Sequence, residues 1–256
     1  MPSPFPMAKP YRPPRVSTVV ALLLAATLTV LATGLGVLPL TALGPRRVRL
    51  LRAALNGLAA GAMLVASIAG LLEPGLDNGT VGEVALGVVI GVAFMWAVHR
   101  AFHADPTDKD ARWHTVAVGL FAHSLPEGMA IGTAFASDEP GLDVFVVIAI
   151  ALQNIPEGTA TALPMQEAGR STREQVLTAI ATSLPQLVGA VGAYFLVEAV
   201  DGLLPVSFGF AAGAMVAVTA LELLPFALRR GHRVQGAAGL LAGGVSMLLA
   251  AKVAGI

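Results

Sequence analysis

The chain has 256 residues, 55% of them hydrophobic and only 12% charged, with a mean hydropathy of +0.76. That composition excludes an ordinary soluble domain. A formal net charge of zero gives no footprint for nucleic acid, and the absence of Cys excludes disulfides and thiolate metal sites. What is left is an all-α polytopic membrane protein.

Residues 1–16 are rich in proline and carry Lys9, Arg12 and Arg15, which predicts a disordered extracytoplasmic tail before one membrane domain at 17–256. A basic stretch before an apolar run also fits a signal peptide, but the run to about Leu40 is long for one and reads as the first span. At about 20 apolar residues per span, eight segments follow, near 17–41, 54–72, 84–102, 114–136, 143–165, 175–199, 204–228 and 235–255.

The second span reads Gly57-Leu58-Ala59-Ala60-Gly61-Ala62-Met63, and the seventh reads Gly209-Phe210-Ala211-Ala212-Gly213-Ala214-Met215. Part of this match could be the small-residue packing common to membrane helices. Met63 itself reads two ways, as a packing residue or as a thioether ligand for a borderline metal. The third span ends in His99 and His103, followed by Asp105, Asp108, Asp110 and His114, a set that suits either a solvated loop or a metal-collecting one.

The fourth and fifth spans share a phrase. His123-Ser124-Leu125-Pro126-Glu127-Gly128 returns as Gln153-Asn154-Ile155-Pro156-Glu157-Gly158. Each copy puts a carboxylate and a proline where hydrocarbon is expected. An acidic residue near the middle of a spanning helix costs roughly 2.5–3.5 kcal/mol on insertion scales, so such residues default to a functional reading. On a helix His123 stacks over Glu127 and Gln153 over Glu157, with Ser124 and Asn154 bordering the same faces. Pro126 and Pro156 each remove an N–H and displace the carbonyl four residues back. Broken backbone at that depth is expected to line a cavity. Imidazole, carboxylates and amide oxygens converging there suit a divalent first-row transition cation; a proton relay would use the same groups.

In the sixth span Gln186 follows Pro185 and is polar at depth, which a helix–helix hydrogen bond explains as well as transport does. The seventh span adds a third buried acid, Glu222, opposite Gly70 in the repeat. His232 reads as a surface residue. Arg46, Arg47, Arg49, Arg52, Arg100, Lys109, Arg112, Arg170, Arg173, Arg229, Arg230 and Arg233 all fall in odd-numbered loops, and the even loops carry acids instead. The positive-inside rule makes the odd loops cytoplasmic and both termini extracytoplasmic, with the basic tail as the one exception. Spans two and seven, and four and five, then cross in opposite senses. The fold expected is eight transmembrane helices with inverted repeats, spans 1–3 and 6–8 around spans 4–5, as in secondary transporters.

The paired His-Ser-x-Pro-Glu-Gly and Gln-Asn-x-Pro-Glu-Gly phrases, with the Gly-Ala-Met second span and the Glu of the seventh, resemble the ZIP (Zrt-, Irt-like protein) family of divalent metal transporters. The Gln of the second copy is similar to its bacterial GufA-like branch. The resemblance implies a homodimer and a metal route through spans two, four, five and seven. It puts a primary site on Met63, His123, Glu127, Gln153 and Glu157, and a second on Ser124, Glu127, Asn154, Glu157 and Glu222. Three departures stand out. Ser124 replaces the family's usual Asn, Asn154 replaces the branch's Asp, and Gln186 stands where many relatives carry Glu.

The expected function is transport of a divalent metal, Zn²⁺ before Cd²⁺, Fe²⁺, Mn²⁺ or Co²⁺, through the inner (cytoplasmic) membrane into the cytoplasm by alternating access, with an elevator-like slide implied by the resemblance. No cofactor is expected. Two ions would bring four positive charges against the three carboxylates Glu127, Glu157 and Glu222, which favours one tightly held ion. A metal sensor or degenerate transporter is the alternative. An intramembrane metallohydrolase would need a His-Glu-x-x-His pair, which the sequence lacks, so no enzyme is expected.

Overall fold

The computed structural model describes residues 16–102, 109–137 and 139–256. The expected tail falls almost wholly outside these residues, as do His103, Asp105, Asp108 and Asp138; the side chains of Asp110 and His114 are outside as well. Among the described residues every regular element is helical. Seven helices are long and apolar enough to cross a membrane: 16–44, 50–78, 81–101, 142–167, 172–199, 203–227 and 233–254. An eighth helix, Lys109–Ala136, has 28 residues but is not among the seven. Its apolar stretch is diluted by the same His123, Ser124, Pro126 and Glu127 that made it conspicuous in sequence.

In chain order the helices are α1 (Val16–Leu35), α2 (Leu38–Ser67), α3 (Glu73–Asn78), α4 (Val81–Phe102), α5 (Lys109–Ala136), α6 (Leu142–Glu167), α7 (Thr172–Ser183), α8 (Pro185–Ala199), α9 (Leu203–Val218), α10 (Leu224–Ala227) and α11 (Arg233–Ala254). Gly44, with φ 75°, breaks α2 near its start and separates the first apolar stretch from the second. Ser171 and Glu174 form a reciprocal capping box at the start of α7.

Pro126 and Pro156 do not break their helices. Both α5 and α6 run through them as continuous elements. Two other prolines act differently. The five residues Ile68–Leu72 between α2 and α3 form a π-helical turn, and so do Thr219–Leu223 between α9 and α10. In each case the residue just before a proline, Glu73 or Leu224, donates its N–H five residues back, to Ile68 or Thr219. Widening the turn moves the rings of Pro74 and Pro225 away from the carbonyls that a regular helix would drive them into.

Side-by-side packing comes in two matched pairs. α11 lies along α2, and α4 lies along α9. A methyl at Gly57 or Gly61 would run into the carbonyl of Gly236 or Leu240, and one at Gly239 or Gly243 into that of Ala54 or Leu58. Across the molecule, Gly209 and Gly213 meet the carbonyls of Val84 and Val88, while Gly87 and Gly91 meet those of Val206 and Phe210. The eight glycines pair off at one constant sequence offset. Close backbone approach through small residues is how membrane helices gain dispersion contacts without a hydrophobic driving force.

A second set, α5 along α8 and α1 along α6, repeats the device. Gly128 abuts the carbonyl of Gln186 and Gly189 that of Leu125; Gly158 abuts the carbonyl of Thr33 and Gly36 that of Ile155. Leu125 and Ile155 are the same position of the two phrases. α6 contacts α2 and α5 contacts α9, which joins the two sets. The candidate site lies at that junction.

Candidate metal site

α5 and α6 bring their two phrases face to face. Glu127 is 1% exposed and accepts two hydrogen bonds, from Gln153 Nε2 at 3.0 Å to Oε1 and from Gln186 Nε2 at 2.6 Å to Oε2. Glu157, also buried, stands within hydrogen-bond reach of the Glu127 carboxyl and within electrostatic reach of Glu222. Two carboxyl groups in contact need a proton or a cation between them.

His123 stands on the other side of the cluster. The π-helical turn after α9 points Glu222 at it, with Glu222 Oε1 3.1 Å from His123 Nε2. That contact is not aligned as a hydrogen bond, and His123 Nε2 is one of the few buried polar atoms without a hydrogen-bond partner. Gln153 Oε1 is another. An imidazole nitrogen whose one polar contact, with Glu222, is out of line and an amide oxygen without a hydrogen bond, both beside two buried carboxyls, are a costly arrangement on their own. As donors to a cation they make chemical sense.

The structure brings together fewer of the expected residues than the sequence groups. Met63 is buried, and its recorded polar neighbour is the Thr219 hydroxyl, 3.8 Å from Sδ, three residues before Glu222. Ser124 turns its hydroxyl back onto the Leu120 carbonyl at 3.0 Å. Asn154 is held by other partners: Nδ2 donates to the Thr29 carbonyl at 2.7 Å and to Gln186 Oε1 at 3.2 Å, while Oδ1 accepts from Gln186 Nε2 at 3.3 Å. Among the described residues, no three His, Asp or Glu side chains are closed into a ready-made coordination shell.

Two residues join the site that the sequence did not place there. His99, at the end of α4, sets Nδ1 3.3 Å from Glu222 Oε1. Gln186 is wholly buried and links Glu127 to Asn154 and to Thr29, whose hydroxyl lies 2.9 Å from Gln186 Oε1. The sequence signal for Gln186 was a polar residue at depth directly after a proline. For His99 the signal is its place in the His- and Asp-rich set that ends the third span, which points to the loop and not to Glu222 on a distant helix.

Burial is uneven along the cluster. His123 is 4% exposed, but Glu222 is 26% and His99 20% exposed. Both open towards the end of the bundle that carries Arg229, Arg230 and Arg233. At the opposite end Leu71, Ile131, Phe145 and Phe208 are fully buried, with Phe145 seated directly against Gly70.

Comparison with known proteins gives the geometry its family. The family model described as ZIP Zinc transporter matches residues 103–251. The chain is 36% identical over 245 residues to the zinc transporter ZIPB of Bordetella bronchiseptica, an alignment covering 85% of this chain and 76% of that one. The chain belongs to the ZIP family. It is 31% identical over 176 residues to the zinc transporter GufA of Myxococcus xanthus, covering 65% of this chain and 69% of the relative. An Arabidopsis thaliana protein, provisionally named a zinc transporter, is 34% identical over 225 residues. That match takes in 84% of this chain but spans only 35% of the plant protein. These ZIP relatives are named transporters rather than enzymes, and with seven apolar helices of spanning length the chain is a multi-pass membrane protein.

Proposed function

We propose that the chain carries a divalent metal ion, Zn²⁺ by the names of its relatives, across the cytoplasmic membrane into the cytoplasm. The observation that carries this reading is the buried pairing of His123, Glu127, Gln153 and Glu157, in which His123 Nε2 and Gln153 Oε1 have no hydrogen-bond partner and Glu222 stands alongside. An incoming cation would take these two donors and hold Glu127 and Glu157 together without a shared proton. Met63 adds a softer donor on the α2 side. Ser124 and Asn154, engaged elsewhere, contribute nothing to this first ion.

Eight spans arranged as inverted repeats account for the matched features: the π-helical turns before Pro74 and Pro225, the eight glycines at one offset, and the glycine-to-carbonyl approaches of α1 to α6 and of α8 to α5. The arginine-bearing loops are cytoplasmic by the positive-inside rule, which puts both termini outside. The site then opens inward through Glu222 and His99 and is sealed outward by Leu71, Ile131, Phe145 and Phe208. α1, α5, α6, α7 and α8 form the moving unit and α2, α4, α9 and α11 the frame it slides against, in a homodimer. No group on the chain supplies energy from a nucleotide, so the ion moves down its own gradient or with a coupled ion.

Uptake into metal-free proteoliposomes tests the reading. Zn²⁺ should enter with the wild-type protein and not with His123→Ala or Glu157→Ala, and Cd²⁺, Fe²⁺, Mn²⁺ and Co²⁺ in parallel rank the cargo. Tight binding with no flux by the wild type would instead identify a metal sensor, the reading that the tied-up Ser124 and Asn154 favour.

A further inference from the structure

We propose that Gln186 limits this chain to one tightly bound ion, its amide standing where a second cation would have to stand. The inference rests on the ion site proposed above and adds a positioning residue to it. The orientation of the amide follows from its surroundings. Asn154 Nδ2, oriented by its 2.7 Å bond to the Thr29 carbonyl, donates to Gln186 Oε1 at 3.2 Å; the Thr29 hydroxyl, 2.9 Å from the same oxygen, shares its one proton with the Ala26 carbonyl at 2.8 Å. Nε2 therefore faces the acceptors, Glu127 Oε2 at 2.6 Å and Asn154 Oδ1 at 3.3 Å. With that, both of its N–H groups are used, and Asn154 and Gln186 form a reciprocal amide pair.

Two consequences follow. Oxygens that would face a second ion, Glu127 Oε2 and Asn154 Oδ1, are already engaged by a neutral double donor. A divalent ion entering there would have to expel a wholly buried amide and leave it without partners. Glu127 is also fixed in rotation, with Oε1 turned to Gln153 and to the ion. Groups that orient a metal ligand in this way are typically worth ~10–100-fold in metal affinity.

Metal counting and Zn²⁺ titration on purified protein, with His123→Ala as the reference, test the proposal. Wild type should hold one Zn²⁺ per chain. Gln186→Glu places a carboxyl against Glu127 and should bind a second, weaker Zn²⁺. Gln186→Met removes both donors at similar volume; it should keep one ion but bind it about 10–100-fold more weakly. Gel filtration shows that each variant is folded. Two ions on the wild type, an unchanged count in Gln186→Glu, or an unchanged affinity in Gln186→Met would each overturn the proposal while leaving the transport reading in place. If His123→Ala binds Zn²⁺ like the wild type, the ion is held elsewhere, and the site reading and this inference fall together.

Discussion

Glu127 and Glu157 occupy equivalent places in the two phrases, yet the structure gives them different jobs, and alanine substitutions should separate them. Glu127 anchors two amides, Gln153 and Gln186. Truncation to Ala leaves two buried N–H donors unpaired, at about 1–3 kcal/mol each, so Glu127→Ala should lose roughly 2–6 kcal/mol of stability even without metal. Glu157 has no such role; its recorded neighbours are other carboxyl groups. Without metal the two carboxyls share a proton, so metal-free Glu157→Ala should lose no more than that one hydrogen bond, about 0.5–1.5 kcal/mol. Both variants should lose Zn²⁺ uptake, because each removes a charged ligand. The assay is thermal unfolding in detergent with chelator present, beside proteoliposome uptake from the same preparations. If Glu127→Ala unfolds at the wild-type temperature, its hydrogen bonds are not what the geometry says. If Glu157→Ala still transports, the site assignment is wrong.

Three further outcomes check the arrangement. A Cys at Asn78 should label from outside, and one at Arg230 only after permeabilisation; the reverse pattern would invert the direction of transport. Gly61→Val and Gly213→Val, which meet the carbonyls of Leu240 and Val88 in the two matched pairs, should destabilise the protein by similar amounts, about 1–3 kcal/mol by overpacking; a large disparity in their unfolding would count against the repeat. His99→Ala should slow Zn²⁺ uptake several-fold without changing the number of ions bound, since His99 touches Glu222 and not the carboxyl pair; a lost ion would place His99 in the binding site itself.

Legibility in the sequence followed how local each signal was. The two phrases announced themselves because a carboxylate, a proline and a glycine recur in fixed order inside apolar runs. Helical spacing put His123 and Glu127 on one face. The phrases also hid something: the polar residues that mark α5 lower its hydropathy, so it is not among the seven helices that length and apolarity alone select. The wide turns before Pro74 and Pro225 were not foreseen, whereas breaks were expected at Pro126 and Pro156, where the helices run on. Proline alone does not say whether a helix will widen, kink or continue. The Gly87, Gly91, Gly239 and Gly243 contacts were in principle readable, but they are lost among 28 glycines until the packing shows which carbonyls they face. Gln186 and His99 took their meaning from partners on other helices, and no spacing rule within one helix could supply that.

An inverted repeat that built two identical halves would give a transporter with two equivalent ends; on the repeat proposed above, its exceptions would set the direction. At the sequence offset that pairs the glycines Glu222 matches Gly70, and each lies on a π-helical turn. Gly70 has no side chain, and the fully buried ring of Phe145 fills the space against it. The other turn carries a carboxylate, Glu222, flanked by His123 and His99 and only partly buried. His123 against Gln153 continues the asymmetry into the centre of the bundle. On the proposed site, an ion leaving the carboxyl pair would meet Glu222, His123 and His99 on one side and the ring of Phe145 on the other. On the proposed orientation the release side is the cytoplasm, and the outward-open state must be reached by moving Phe145 off Gly70. Gly70→Leu should obstruct the seating of Phe145 and impair uptake, although it lies on the far side of the site from every charged ligand.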